Sequence, residues 1–271
     1  MWYLEGNNLL NQINNTKTSD DEMAFWYIGQ CGFVFKRDKV IYIDPVLNDI
    51  KNDNGESVRL YDAPFKPEDA KADIVLCTHA HIDHLAPETI KGMYKNNPGT
   101  TIVAPLECAE ILSSLGVADN DIQIINPGAA IDLDGIKVEA FLTEHPKRGE
   151  GGSVAYLIDY DGIKLLHLGD TYLTDELIDD LKGLDVDILF APINGMDYMR
   201  AKNDMVGNLN VDEVAYLTNI IKPDLIIPMH YDMVKDNTEN PLRLLEKLRS
   251  MNWNKKSMVP LLGERVMYKK G

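Results

Sequence analysis

The apolar run Ile74-Val75-Leu76-Cys77 leads straight into Thr78-His79-Ala80-His81-Ile82-Asp83-His84, so a stretch that must be buried ends on three imidazoles and a carboxylate. Four apolar residues in a row read as a fully buried strand, and ionisable groups at its end are tolerated only where something satisfies them. If the chain is still extended there, His79 and His81, two apart, point the same way while Asp83 and His84 face elsewhere. Such a layout supplies imidazoles to one metal ion and a carboxylate plus an imidazole to a second, a mixed N/O set suited to zinc, manganese or iron. The competing reading is a solvated polar loop. Three of the chain's 6 histidines behind one buried strand weigh against it.

Further donors close other β-like runs: His145 after Val138 to Leu142, Asp170 after Lys164 to Leu168, and His230 after Leu225 to Pro228. Alone, either histidine would as readily be a satisfied surface or core residue, and an Asp after Gly169 would be a turn or cap residue. With the first cluster they form a candidate ligand set, and a carboxylate such as Asp170 has two oxygens with which to bridge two cations. His167, three residues before Asp170 inside a strand pattern, should face away from it and serve the core or back up a ligand. Cys77 reads as a packed thiol, as do Cys31 and Cys108; an odd number of widely spaced cysteines fits a reducing cytosol.

Elsewhere, Ala24 to Ile28, Gly32 to Lys36 and Val40 to Ile43 read as an antiparallel meander, and Val154 to Ile158 and Ile188 to Ala191 as later strands. Helical patterns cover Pro87 to Tyr94, Leu106 to Leu115 with Gly116 as terminator, Val211 to Ile221 behind an Asn210 cap, and Pro241 to Met251. With no repeat and no low-complexity linker, the expectation is one α/β domain over residues 1–271, with 1–23 as an N-terminal helical extension. Its Trp2, Leu4, Leu9 and Leu10 suit either a contact helix or core packing.

Twenty-seven Lys and Arg against 43 Asp and Glu give a net charge of -16 and a pI near 4.7, a field that repels phosphate backbones and anionic membranes. A nucleic-acid or membrane partner is therefore not expected, whereas a small anionic substrate can still enter a cleft in which a bound cation reverses the potential. Met1 to Glu5 lacks the basic and apolar segments of a signal peptide, which predicts a cytoplasmic protein.

These motifs resemble the metallo-β-lactamase superfamily: Asp44 in Tyr42-Ile43-Asp44-Pro45, the His-x-His-x-Asp-His run at 79–84, then His145, Asp170 and His230, in order over residues 25–232. The resemblance implies an α/β fold, a four-layer αββα sandwich. It assigns His79, His81 and His145 to one metal and Asp83, His84 and His230 to another, with Asp170 bridging. Asp44 becomes the family's structural acid, hydrogen-bonded beneath the ligand loop.

A two-metal centre would lower the pKa of a bridging water toward roughly 7 and polarise a carbonyl or phosphoryl oxygen, so hydrolysis needs no Ser or Cys nucleophile. Asp83 and Asp170 are the nearest groups to orient that hydroxide or take its proton. Residues 188–241, with Ile193-Asn194-Gly195-Met196-Asp197-Tyr198 and Pro228-Met229-His230-Tyr231, resemble the L-ascorbate-6-phosphate lactonase branch. That likeness implies a lactone of a phosphorylated sugar acid as substrate, one or two divalent ions per chain (zinc or manganese, with iron as an alternative) and a homo-oligomer. Tyr198, Arg200, Lys202 and Tyr231, or Lys147 and Arg148, are candidates to meet the substrate, and the glycines at 149, 151 and 152 to make a lid. The alternatives are a metal-dependent phosphodiesterase with the same ligands and a non-catalytic metal-binding module.

Overall fold

The computed structural model describes residues 1–52, 54–145, 152–203 and 205–271. The chain divides into two compact units, Met1–Ile125 with Pro260–Gly271, and Asn126–Val259. Each is built on one seven-stranded mixed sheet.

In the first unit, β1 (Glu22–Gly29), β2 (Gly32–Lys36) and β3 (Val40–Ile43) form the expected antiparallel meander. β4 (Ile74–Leu76), β5 (Thr101–Ala104) and β6 (Ile122–Ile124) then add in parallel. These strands read as continuous apolar runs because both faces of β1 to β4 are buried. The α-helices of this unit's described residues are α1 (Gly6–Asn15), α2 (Pro87–Asn96), with Pro87 at its first turn, and α3 (Ala109–Ser114). The extension at 1–23 is thus partly helical, and α1 lays Leu9, Leu10 and Ile13 into the same core as Trp26 and Val34. The Trp26 indole N–H donates to Gln12 Oε1 at 2.9 Å, giving a buried donor its acceptor. The pattern at Leu106 to Leu115 is not one helix: a 3-10 turn over Leu106–Cys108 precedes α3.

The second unit repeats the plan. β7 (Ala130–Leu133), β8 (Ile136–Leu142), β9 (Val154–Tyr160) and β10 (Ile163–His167) are antiparallel neighbours. β11 (Ile188–Pro192), β12 (Leu225–Met229) and β13 (Lys256–Ser257) follow in parallel. Its helices are α4 (Asp175–Leu181), α5 (Tyr198–Lys202), α6 (Val211–Ile221) and α7 (Leu242–Ser250). α6 begins where the sequence places it because Asn210 Oδ1 accepts from the N–H groups of Asp212 and Glu213 while the Glu213 carboxylate reaches back to the Asn210 N–H. The last strand of the chain, β14 (Arg265–Lys269), pairs antiparallel with β1 of the first unit.

In both sheets the parallel strands bring their carboxyl ends to one edge, the place where open α/β sheets hold ligands. Asp44 follows β3 and the histidine run follows β4; His145, Asp170 and His230 follow β8, β10 and β12. Among the described residues no helix is long and apolar enough to cross a membrane. Removing the α6 cap with Asn210→Ala is expected to destabilise the fold by about 1 kcal/mol, read as a lower urea midpoint.

Candidate metal centre

In the first unit everything converges on one carboxylate. Asp44 is fully buried, and its Oδ1 accepts from the Thr78 N–H at 2.8 Å while Oδ2 accepts from the Thr78 hydroxyl at 2.7 Å. His84 Nδ1 lies 2.8 Å from the same Oδ2. A charged acceptor there fixes the tautomer of His84, with the proton on Nδ1 and the Nε2 lone pair outward, the form a metal ligand needs. Asp44 adopts φ 43, a left-handed conformation that costs on the order of 1 kcal/mol and is held by these bonds.

The loop departs from an extended strand. β4 stops at Leu76, and a turn closed by the His84 and Leu85 N–H groups on the His81 carbonyl folds the run back on itself. The chain already bends at 78–81, ahead of that turn, and there His79 Nε2 is 3.0 Å from His81 Nδ1. His84 is not turned away from them, since its ring centroid is 4.0 Å from that of His79. Asp83 Oδ2 accepts from Gln30 Nε2 at 2.7 Å and lies 3.7 Å from His84 Nε2.

Two residues that the sequence reading had not placed at the site stand beside this loop. Gln30 and Cys31 occupy the β1–β2 turn, and Cys31 Sγ lies within 4.8 Å of a ring nitrogen of His84. The signal was there in Gly29-Gln30-Cys31-Gly32, a short turn between two apolar strands. Cys77 and Cys108 are buried thiols, each held well above the ordinary thiol range first by burial; the next largest cause is the Asp44 charge for Cys77 and the Glu107 charge for Cys108.

The second unit assembles its own set. Asp170 is buried, with Oδ2 at 3.3 Å from His230 Nε2 and 3.7 Å from His145 Nε2. The Tyr172 N–H donates to the Glu144 carbonyl at 2.7 Å and the Glu144 N–H to the Thr171 hydroxyl at 3.2 Å, clamping the segment that carries His145 to the one that carries Asp170. His230 adopts φ 55 at the end of β12. His167 is buried on β10, and its Nδ1 accepts the Gly169 N–H at 3.2 Å.

The expected substrate contacts are spread out. Arg200 has a different task from the one its sequence suggested: it is 8% exposed, and its guanidinium donates to Asp197, to Asn237 Oδ1 at 2.9 Å and to the Thr238 carbonyl at 2.8 Å. Asn194, Asn208 and Asn237 complete that network, so Arg200 braces the loop behind His230. Tyr198 is 76% exposed, Lys202 is exposed, and Tyr231 is buried beside His230. Lys147, Arg148, Gly149 and Gly151 lie outside the described residues; Gly152 adopts φ 68.

The donor set suits a divalent transition metal. Nitrogen lone pairs held 3.0 Å apart repel unless a proton or a cation sits between them, and a buried carboxylate between two imidazoles has the same need. In the first unit His79, His81 and His84 with Asp83 are the residues that would hold such an ion, and in the second His145, Asp170 and His230 are. Asp44→Asn turns an acceptor of three donors into a partial donor, so metal affinity is expected to fall roughly 10- to 100-fold in a chelator competition while far-UV circular dichroism is unchanged.

A family model described as a Beta-lactamase superfamily domain matches residues 25–230. UPF0173 metal-dependent hydrolases of Thermoplasma acidophilum and Thermoplasma volcanium are 32% and 30% identical to this chain, covering 79% and 82% of it and 86% and 89% of their own lengths. Among solved structures, a metallo hydrolase from Ignicoccus hospitalis matches with TM-score 0.72 at 21% identity, over 92% of this chain and 100% of that one. An isothiocyanate hydrolase from Delia radicum gut bacteria matches with TM-score 0.73 at 17% identity, over 91% and 100%. These structural likenesses speak for the fold, the α/β architecture of the metallo-β-lactamase type. The chain belongs to the metallo-β-lactamase superfamily and, within it, to the UPF0173 metal-dependent hydrolases.

Proposed function

We propose that this hydrolase is a lactonase that opens the ring ester of a phosphorylated sugar acid of the L-ascorbate 6-phosphate type. The observation that carries the reading is Asp170, a buried carboxylate with one oxygen within 3.3 and 3.7 Å of two imidazole Nε2 atoms. The sequence pattern over residues 188–241 supplies the substrate class. A divalent ion held by His145, Asp170 and His230 would supply Lewis-acid polarisation of a carbonyl and would lower the pKa of water toward about 7.

The chain's own groups do the rest. Asp83, steadied at Oδ2 by Gln30, is one carboxylate to orient the attacking water or receive its proton, and Asp170 is the second. Tyr231, next to His230, is placed in the sequence to donate to the departing ring oxygen. With the Arg200 guanidinium engaged by Asp197, Asn237 and Thr238, the phosphate falls to Lys202, which is exposed. A small anionic substrate is consistent with a chain of net charge -16 only where local cations offset that field.

The test is ring opening of L-ascorbate 6-phosphate lactone, followed by pH-stat, beside hydrolysis of bis(p-nitrophenyl) phosphate, before and after metal removal. Metal-dependent ring opening is expected, with His81→Ala and Asp170→Ala losing turnover and bound metal together while the fold persists. Turnover of the phosphodiester alone would replace the lactonase with a phosphodiesterase. Full activity in either variant would remove these residues from the chemistry.

A further inference from the structure

The β1–β2 turn is built at more expense than a hairpin connection needs. Gln30 takes φ 58 and Gly29 φ 99, and a Cβ on Gly32 would lie 2.9 Å from Ile28 Cγ1, 2.9 Å from the Gly29 carbonyl and 3.2 Å from the Asp44 carbonyl. Only glycine lets the turn settle onto Asp44, the residue that also orients His84. A Cβ on Gly29 would collide with the Tyr61 hydroxyl, so the turn is confined from the other side as well. The Tyr27 hydroxyl donates to the Gln30 carbonyl at 3.2 Å, and Gln30 Nε2 donates to Asp83 Oδ2 at 2.7 Å.

What this confinement delivers is Cys31, fully buried, with Sγ within 4.8 Å of a ring nitrogen of His84. Because His84 Nδ1 faces Asp44, Nε2 is the nitrogen left for a metal, and Asp83 Oδ2 lies 3.7 Å from it. Within this single unit the sulfur thus stands beside the His84 imidazole, and the Asp83 carboxylate lies on that imidazole's Nε2 side. We infer that Cys31 is a metal ligand, so that the ion held by His84 and Asp83 has a sulfur donor and the site favours zinc, cobalt or iron(II) over manganese. Manganese prefers oxygen donors, whereas thiolate is a soft ligand that selects zinc and iron. On coordination the S–metal bond replaces the S–H bond, and the proton leaves to solvent. The inference rests on the metal-centre reading above but not on the lactonase.

The chain loaded with Co(II) is compared with Cys31→Ser. The expected result is d–d absorption in the visible for both proteins, with a near-ultraviolet sulfur-to-cobalt charge-transfer band in the parent and none in the variant. Visible bands with identical near-ultraviolet spectra would overturn the ligand role of Cys31 and leave the metal centre standing. No visible bands from either protein would overturn the metal centre itself. Should Cys31→Ser not fold, X-ray absorption at the zinc edge on the unaltered protein decides: a sulfur shell at about 2.3 Å is expected, and a shell of nitrogen and oxygen alone at about 2.0–2.1 Å would contradict it.

Discussion

A buried carboxylate must be given donors, and Asp44 is given three: the Thr78 N–H, the Thr78 hydroxyl and His84 Nδ1. Removing any acceptor of this kind leaves buried donors unsatisfied, at about 1–3 kcal/mol each, so the bonds specify the conformation as much as they stabilise it. The consequences run in two directions. Downward, they hold Asp44 in a left-handed conformation at the end of β3 and tie that strand end to the end of β4. Outward, they orient one imidazole and set the path of the loop that carries the other two. Gly32 and the β1–β2 turn lean on the same residue, so the arrangement of Gln30 and Cys31 depends on it too.

The second unit solves the same problem by other means. Here backbone and hydroxyl bonds among Glu144, Thr171 and Tyr172 register two segments against each other. The asparagine network around Arg200 fixes the loops beyond β11 and β12. There buried polar bonds add to the apolar anchors Ile193, Leu209 and Met233, and every member needs its partner.

Much of this was legible in the sequence because the signals are local. Apolar runs fixed β2 and β3 to the residue, the Asn210 cap marked the start of α6, and the histidine run sits where it was expected, behind β4. What was not legible depends on partners far away in the chain. β14 belongs to the first sheet although more than two hundred residues separate it from β1, and no local period announces that pairing. The bends at 78–81 that carry His79 and His81 are not foreseen by alternation along an extended strand. Arg200 looked like a substrate contact because its charge is visible and Asn237, 37 residues on, is not visibly its partner. Cys31 looked like core because burial and ligation select the same small polarizable side chain.

The central claim is that these side chains exist to hold a metal ion. Anomalous diffraction at the zinc edge from zinc-loaded crystals tests it most directly. The account predicts zinc within about 2.0–2.2 Å of nitrogens of His79 and His81. Zinc confined to surface carboxylates, with these atoms unligated, would contradict it.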